Sequence, residues 1–301
     1  MKNKKMLGNI LLTLTALIWG TAFVAQRIGM ESIEPITFNA VRMALAACAT
    51  GSVAFFRMRR KAEREKSGSR RAVITGGICC GFFLSAASIF QQMGLVTTTA
   101  GKAGFITAMY ILIVPVVNLV LFGKKNTWTV WLAVLIGVAG MYLLCVKEGL
   151  HLTRGDMLVC ICAFLFSGHI LCCDHFVKRA DPVCLSAIQF LTVTVVTTVL
   201  AFIFESPSWT GVRQAAVPIL YCGLISGGVG YTLQILAQRY TDPTIASLLM
   251  SLESVFAAIA GAFILHERMS ARELMGCTVM FSAIILVQLP HAGTRNNVSE
   301  E

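Results

Sequence analysis

Few side chains in this 301-residue chain can do chemistry, and the most telling ones sit inside long apolar stretches. Arg42 lies about two helical turns after Pro35. A guanidinium stays charged, so it requires a carboxylate, several carbonyls, water or an anionic ligand. Glu253 is flanked by Leu248, Leu249, Met250, Leu252, Val255 and Phe256. Burial disfavours the charged form of a carboxyl, so a proton can be held at such a group and exchanged. Gln91 and Gln234 offer amides that orient a polar ligand, and Trp19, Tyr110, His169, Gln189 and Tyr231 offer aromatic faces and further polar groups. Each has a structural alternative that the residues alone leave open. Arg42 can pin two helices or snorkel, Glu253 can join helices, and the glutamines can act as interhelical glue at roughly 0.6 kcal/mol per bond. Gln26, Arg27, Asp174 and His175 are expected near the ends of apolar runs, where water reaches them.

Other chemistries lack their residues. No phosphate-cradling G-x-x-x-x-G-K-[ST] run and no H-E-x-x-H pair occurs, and His266-Glu267-Arg268 has no second histidine. Gly227-Gly228-Val229-Gly230 sits within an apolar run and follows no strand. Eleven cysteines contain no C-x-x-C pair, and cysteine inside apolar helices behaves as a small hydrophobe. Cys172-Cys173-Asp174-His175 is a poor chelate on one helix, because neighbours point about 100° apart. Reduced thiols, no cofactor and no resident metal are therefore expected, and no nucleophile–base pair suggests an enzyme.

The elements that must position these residues follow from composition. Hydrophobic residues make up 56% of the chain and charged residues 13%, about half the charge of an ordinary soluble protein. That little charge cannot coat a globule in water, so most of the surface must face lipid. Disorder, coiled coil, collagen and disulfide scaffolds are excluded. The net charge of +10 does not indicate nucleic acid, because eight of the 25 basic residues crowd into the short run 57–71 between apolar stretches. About 20 apolar residues span a hydrocarbon core as helix. Ten such runs are predicted: 6–26, 35–56, 72–96, 103–122, 128–146, 156–173, 183–204, 215–237, 244–265 and 271–290. They break at Glu34-Pro35, Gly123-Lys124-Lys125-Asn126, Asp181-Pro182, Ser206-Pro207 and Asp242-Pro243. With the N-terminus in the cytoplasm, the inner segments hold 17 Lys and Arg and the outer segments 7, which predicts both termini inside.

Spans one to five echo in spans six to ten. A shift of 143 residues aligns 79–124 with 222–267 without a gap, placing Gln91 on Gln234 and Tyr110 opposite Glu253. Gly20 aligns with Gly168, and Arg42 with Gln189. A unit with an odd number of spans is inverted when repeated, the architecture of secondary carriers with a site between the halves. Small residues crowd span three (Gly77, Gly81, Ser85 to Ser88) and span eight (Gly223, Ser226, Gly227, Gly228, Gly230), so helices there are expected to approach closely.

At this point the residues resemble a family. Trp19-Gly20-Thr21-Ala22-Phe23 resembles the W-G-s-x-F opening of EamA-type carriers of the drug/metabolite transporter superfamily. Pro35 to Arg42 resembles their second-span pattern. Ala237-Gln238-Arg239-Tyr240-Thr241-Asp242-Pro243, Leu252-Glu253-Ser254 and His266-Glu267-Arg268 resemble their ninth-span signature, with Ser254 where proline is usual and Lys124 opposite Glu267. The resemblance implies an all-α integral membrane protein of ten transmembrane helices. They form two inverted five-helix repeats, 6–146 and 156–290, followed by a cytoplasmic tail, 291–301. A central cavity lined by spans 1, 3, 4, 6, 8 and 9 is implied as well. It further implies secondary transport of a small organic solute (an amino acid, metabolite or drug-like compound), frequently outward. The expected contact or coupling residues are Trp19, Arg42, Gln91, Tyr110, Gln234 and Glu253. The expected partners are the solute, the lipid bilayer and coupling protons, in a plasma membrane such as a bacterial inner membrane. The flipping of a lipid-like substrate and a non-transporting membrane sensor remain the alternatives, and the oligomeric state is open.

Overall fold

Apolar runs of this length have one way to satisfy their backbone in hydrocarbon, which is to form helices. The computed structural model describes residues 2–61, 69–98, 100–145, 153–264 and 270–288, and among them there are helices and connections but no strand. Residues 62–68 of the basic run, Lys147, His266-Glu267-Arg268 and the tail 291–301 lie outside the described residues. Among the described residues eight helical segments are long and apolar enough to cross a membrane, and two shorter apolar stretches, Trp128–Gly140 and Leu274–Leu286, accompany them. The protein is a multi-pass membrane protein.

The helices are α1 (Lys2–Gly29), α2 (Pro35–Lys61), α3 (Arg70–Leu95), α4 (Ala100–Thr107), α5 (Tyr110–Phe122), α6 (Trp128–Cys145) and α7 (Arg154–Val177). There follow α8 (Pro182–Phe204), the short α9 (Trp209–Gln214) and α10 (Ala216–Leu220), a π-helical segment (Tyr221–Tyr231), α11 (Thr232–Gln238), α12 (Pro243–Met250), α13 (Glu253–Ile264) and α14 (Ala271–Gln288). Local chemistry fixes where they begin and end. Asp181 and Asp242 accept backbone N–H bonds at the starts of α8 and α12, each with proline at the first position, where its missing donor does no harm. Thr153 and Asp156 cap α7 reciprocally. Gly123 ends α5 at φ +64°, a left-handed conformation that favours glycine.

Packing pairs α2 with α8, α6 with α14, α3 with both α7 and α8, and α1 with α13. The largest contiguous core lies where these helices converge, around Leu84, Tyr110, Ile111, Phe190, Leu248 and Leu249. Outward faces carry bare Phe202, Val217 and Phe263, each more than 70% exposed, as a lipid-facing surface should.

Three predicted spans are not simple rods. The fourth spans 103–122 as predicted, its helix starting at Ala100, and it breaks at Ala108-Met109, where the backbone tightens to Met109 N–H bonding Ile106 O and Leu112 N–H bonding Met109 O. The ninth breaks at Ser251-Leu252, where Ser251 Oγ donates to Leu248 O and Ser254 Oγ to Ser251 O, so hydroxyls compete with the backbone ladder. The breaks stand at the same positions under the 143-residue shift. In the eighth span eleven residues, four of them glycine, adopt the wide π helix, a form that occurs mostly as single turns at functional sites.

Candidate functional site

The two breaks and the π segment surround a small, partly open cavity. Trp19, Arg42, Gln91, Tyr110 and Glu253, five of the six expected contact residues, line it together. Gln26, Phe23, Thr107, Phe166, Ser226 and Tyr231 complete most of the wall.

Both broken helices aim their restart residues inward. Tyr110 opens α5 and Glu253 opens α13, and the Tyr110 hydroxyl donates to Glu253 Oε1 at 2.8 Å. The two sit 143 residues apart, each opposite the other under the internal shift. Gly20 lets α1 reach this junction: a Cβ there would stand 2.5 Å from Phe256 Cβ and 2.6 Å from Glu253 O. Trp19 is thereby held against the π segment, with its indole N–H donating to Ser226 O at 3.3 Å and its ring 4.6 Å from that of Tyr231.

Arg42 lines the cavity from α2 and is only 4% exposed. Its Nε–H donates to Asn39 Oδ1 at 2.9 Å, and Asn39 Nδ2 donates to Ser88 Oγ at 2.8 Å. The guanidinium also stands 5.8 Å from the Phe38 ring centroid. Among the described residues no ion pair involves either Arg42 or Glu253. One wall thus carries a cation, another an acid, and between them are aromatic faces and hydroxyls. The set presents groups that a polar or zwitterionic organic molecule would engage. Among the described residues, no three His, Cys, Asp or Glu side chains are arranged to hold a metal ion.

Gln234 is not brought to the cavity. Gln91 Nε2 donates to Thr107 Oγ1 at 3.2 Å, and the shift by 143 places Met250 where that acceptor would stand for Gln234. Gln234 is accordingly fully buried with neither amide atom partnered. His169 and Gln189 also lie behind the wall, bonded to each other through Nε2 and Oε1 at 3.1 Å, while Tyr231 lines the cavity. Two residues expected near water are buried. Gln26 is 4% exposed and lines the cavity, because it lies one helical repeat beyond Trp19 on the stripe Trp19, Ala22, Phe23, Gln26. That spacing is visible in the chain and would have found it. Asp174 is 6% exposed, with Lys178 Nζ at 2.8 Å and Lys124 Nζ at 3.9 Å. Thr107 and Ser226 were missed for a different reason: their roles depend on helices that meet only in space.

Comparison with known proteins agrees with this architecture. The model of the EamA-like transporter family matches residues 6–146 and again 153–289. A protein of Archaeoglobus fulgidus described as an uncharacterized transporter is 28% identical over 95% of this chain and 87% of its own length. The uncharacterized transporter YoaV of Bacillus subtilis is 23% identical, covering 94% and 96%. A WAT1-related chloroplastic protein of Arabidopsis thaliana is 25% identical over 90% of this chain and 67% of its own. A solved crystal structure superposes with a TM-score of 0.77 at 16% identity, covering 94% of this chain and 96% of that one, a likeness of fold. With both of its halves matched, the chain belongs to the EamA-like transporter family.

Proposed function

We propose that this membrane transporter is a secondary carrier that exports a small organic solute by alternating access. In this reading ten spans form two inverted five-helix halves, both termini are cytoplasmic, and the membrane is the cell membrane. The pairing of α2 with α8 and of α6 with α14 supports it, since under the inverted repeat each of these helices packs on its own counterpart. The observation that carries the proposal is the cavity itself. Two discontinuous helices meet there, one from each half, and bring Tyr110 and Glu253 to a cavity that Arg42 of α2 also lines, the arginine and the glutamate having no ion-pair partners among the described residues. Broken helices converging on a polar site are how carriers hold a solute within the bilayer.

Arg42 receives an anionic group of the solute, Trp19 and Tyr231 pack its apolar part, and Gln91 orients a polar group. Glu253 exchanges a proton as the cavity turns from one face to the other, its Tyr110 bond being remade in each cycle. The protein acts as a carrier and not as an enzyme: the solute leaves unchanged. Purified protein in sealed liposomes tests this directly. Saturable counterflow of a labelled solute is expected, found by a thermal-shift screen of amino acids, nucleosides and cationic drugs. Binding without any flux would leave a sensor in its place.

A further inference from the structure

Away from the cavity, four of the cysteines gather on two helices. Cys79 and Cys80 lie on α3, and Cys172 and Cys173 on α7. Cys80 Sγ is 3.3 Å from Cys172 Sγ and 3.7 Å from Cys173 Sγ, and Cys173 Sγ is 3.4 Å from His169 Nε2. Cys172 is partly exposed, whereas Cys80 and Cys173 are fully buried. These are free thiols. A disulfide requires about 2.05 Å between sulfurs, so the Cys80–Cys172 pair needs little more than 1 Å of approach. Both side chains already point at each other across the helix interface.

The interface they straddle is close-fitting. A Cβ on Gly76 would stand 2.6 Å from Phe176 Cγ, and one on Gly94 2.5 Å from Val159 Cγ2 and 2.9 Å from Gly155 O, so α3 lies directly against α7. In the inverted-repeat reading α3 belongs to the first half and α7 to the second. A covalent bond between them removes the relative movement that alternation requires.

We propose that Cys80 and Cys172 form an oxidative modification site: a hydroperoxide links them into a disulfide that ties α3 to α7 and arrests the carrier. The partly exposed Cys172 thiol attacks hydrogen peroxide, giving a sulfenic acid and one water. The Cys80 thiol then attacks the sulfenic sulfur, forming the S–S bond while the hydroxyl leaves with the thiol proton as a second water. The peroxide is reduced by two electrons and the two thiols are oxidised by the same two. In a reducing cytoplasm such a bond is transient, as regulatory disulfides are. The arrest rests on the carrier reading; the cross-link does not.

The test uses the full-length protein in liposomes, treated with hydrogen peroxide, blocked with N-ethylmaleimide and digested. A disulfide-linked peptide pair carrying Cys80 and Cys172 is expected, retained in Cys173→Ser and lost in Cys172→Ser. In Cys80→Ser a sulfenic acid trapped by dimedone at Cys172 is expected instead. Counterflow should fall to background on oxidation and return with dithiothreitol, while Cys172→Ser keeps its flux under peroxide. No linked pair, or Cys172 joined to Cys173 instead, would overturn the site. A linked pair with undiminished flux would overturn the arrest. Absence of flux before oxidation would strike the carrier reading alone, because peptide mapping does not depend on transport.

Discussion

Glu253 and Arg42 are buried in one cavity without each other's help, and their substitutions separate binding from coupling. Glu253→Gln keeps the shape and a hydrogen-bonding partner for Tyr110 but cannot carry a proton out and back. Its counterflow at equal pH should persist, while uptake or efflux driven by a pH gradient falls to the level seen without one. Proton-linked flux at the normal rate in this variant would remove Glu253 from the coupling role. Arg42→Ala should weaken binding of a carboxylate-bearing solute at least about tenfold, roughly 1.4 kcal/mol, with Arg42→Lys recovering part of it because a lysine restores charge but not the planar fork. Titration of the purified variants by calorimetry measures both. Gln234 calls for the opposite expectation. Its amide is buried without a partner, so Gln234→Met should raise thermal stability in detergent by about 1 kcal/mol and leave flux near normal. A loss of flux would show instead that Gln234 meets the solute in another conformation.

At the level of the helices, most boundaries were legible because their causes are local. Asp181-Pro182, Asp242-Pro243 and Gly123 mark ends in the chain just as they do in space. The breaks at 108–109 and 251–252 were not legible, since the residues around them, Ala108, Met109 and Leu252, are as apolar as any in a continuous span. The hydroxyls of Ser251 and Ser254 gave a faint sign in the second break only. The π segment was also hidden. Its glycines read as close packing, which they provide, yet the widened turn shows only in space, where α1 and α2 pack against it. Gly227 shows the fit: a Cβ there would lie 3.0 Å from Ala46 Cβ. Gly227→Leu is therefore expected to insert into membranes at normal levels, judged by surface labelling and monodisperse purification, while abolishing flux. Normal transport by this variant would end any role for the segment's close approach in the working cycle.

For the molecule as a whole, composition and the placement of Lys and Arg already declared a membrane protein, and the ends of the apolar runs located its helices to within a few residues. The site was partly legible for the same reason. Charge inside an apolar run is conspicuous, so Arg42 and Glu253 stood out, whereas Thr107 and Ser226 became visible only when α4 and the π segment were seen to face one space. The orientation has a direct check. Single cysteines introduced at 57–71 and just after Lys147, in a background stripped of the native eleven, should react with a membrane-impermeant maleimide from opposite sides. Labelling from the same side would overturn the inverted arrangement and the reading of transport built on it.

The bond between Tyr110 and Glu253 has a historical consequence. If the two halves descend from one ancestral segment that once assembled with an upside-down twin, the residue at this spot would have met its own copy. Two glutamates would have shared a single proton or repelled each other, and two tyrosines would have left no acid to titrate. Fusion into one polypeptide released the two copies to differ, and a phenol facing a carboxyl is a combination that no identical pair of subunits could have reached. Asymmetry at the dyad, on this view, is what gene duplication made available to the machine.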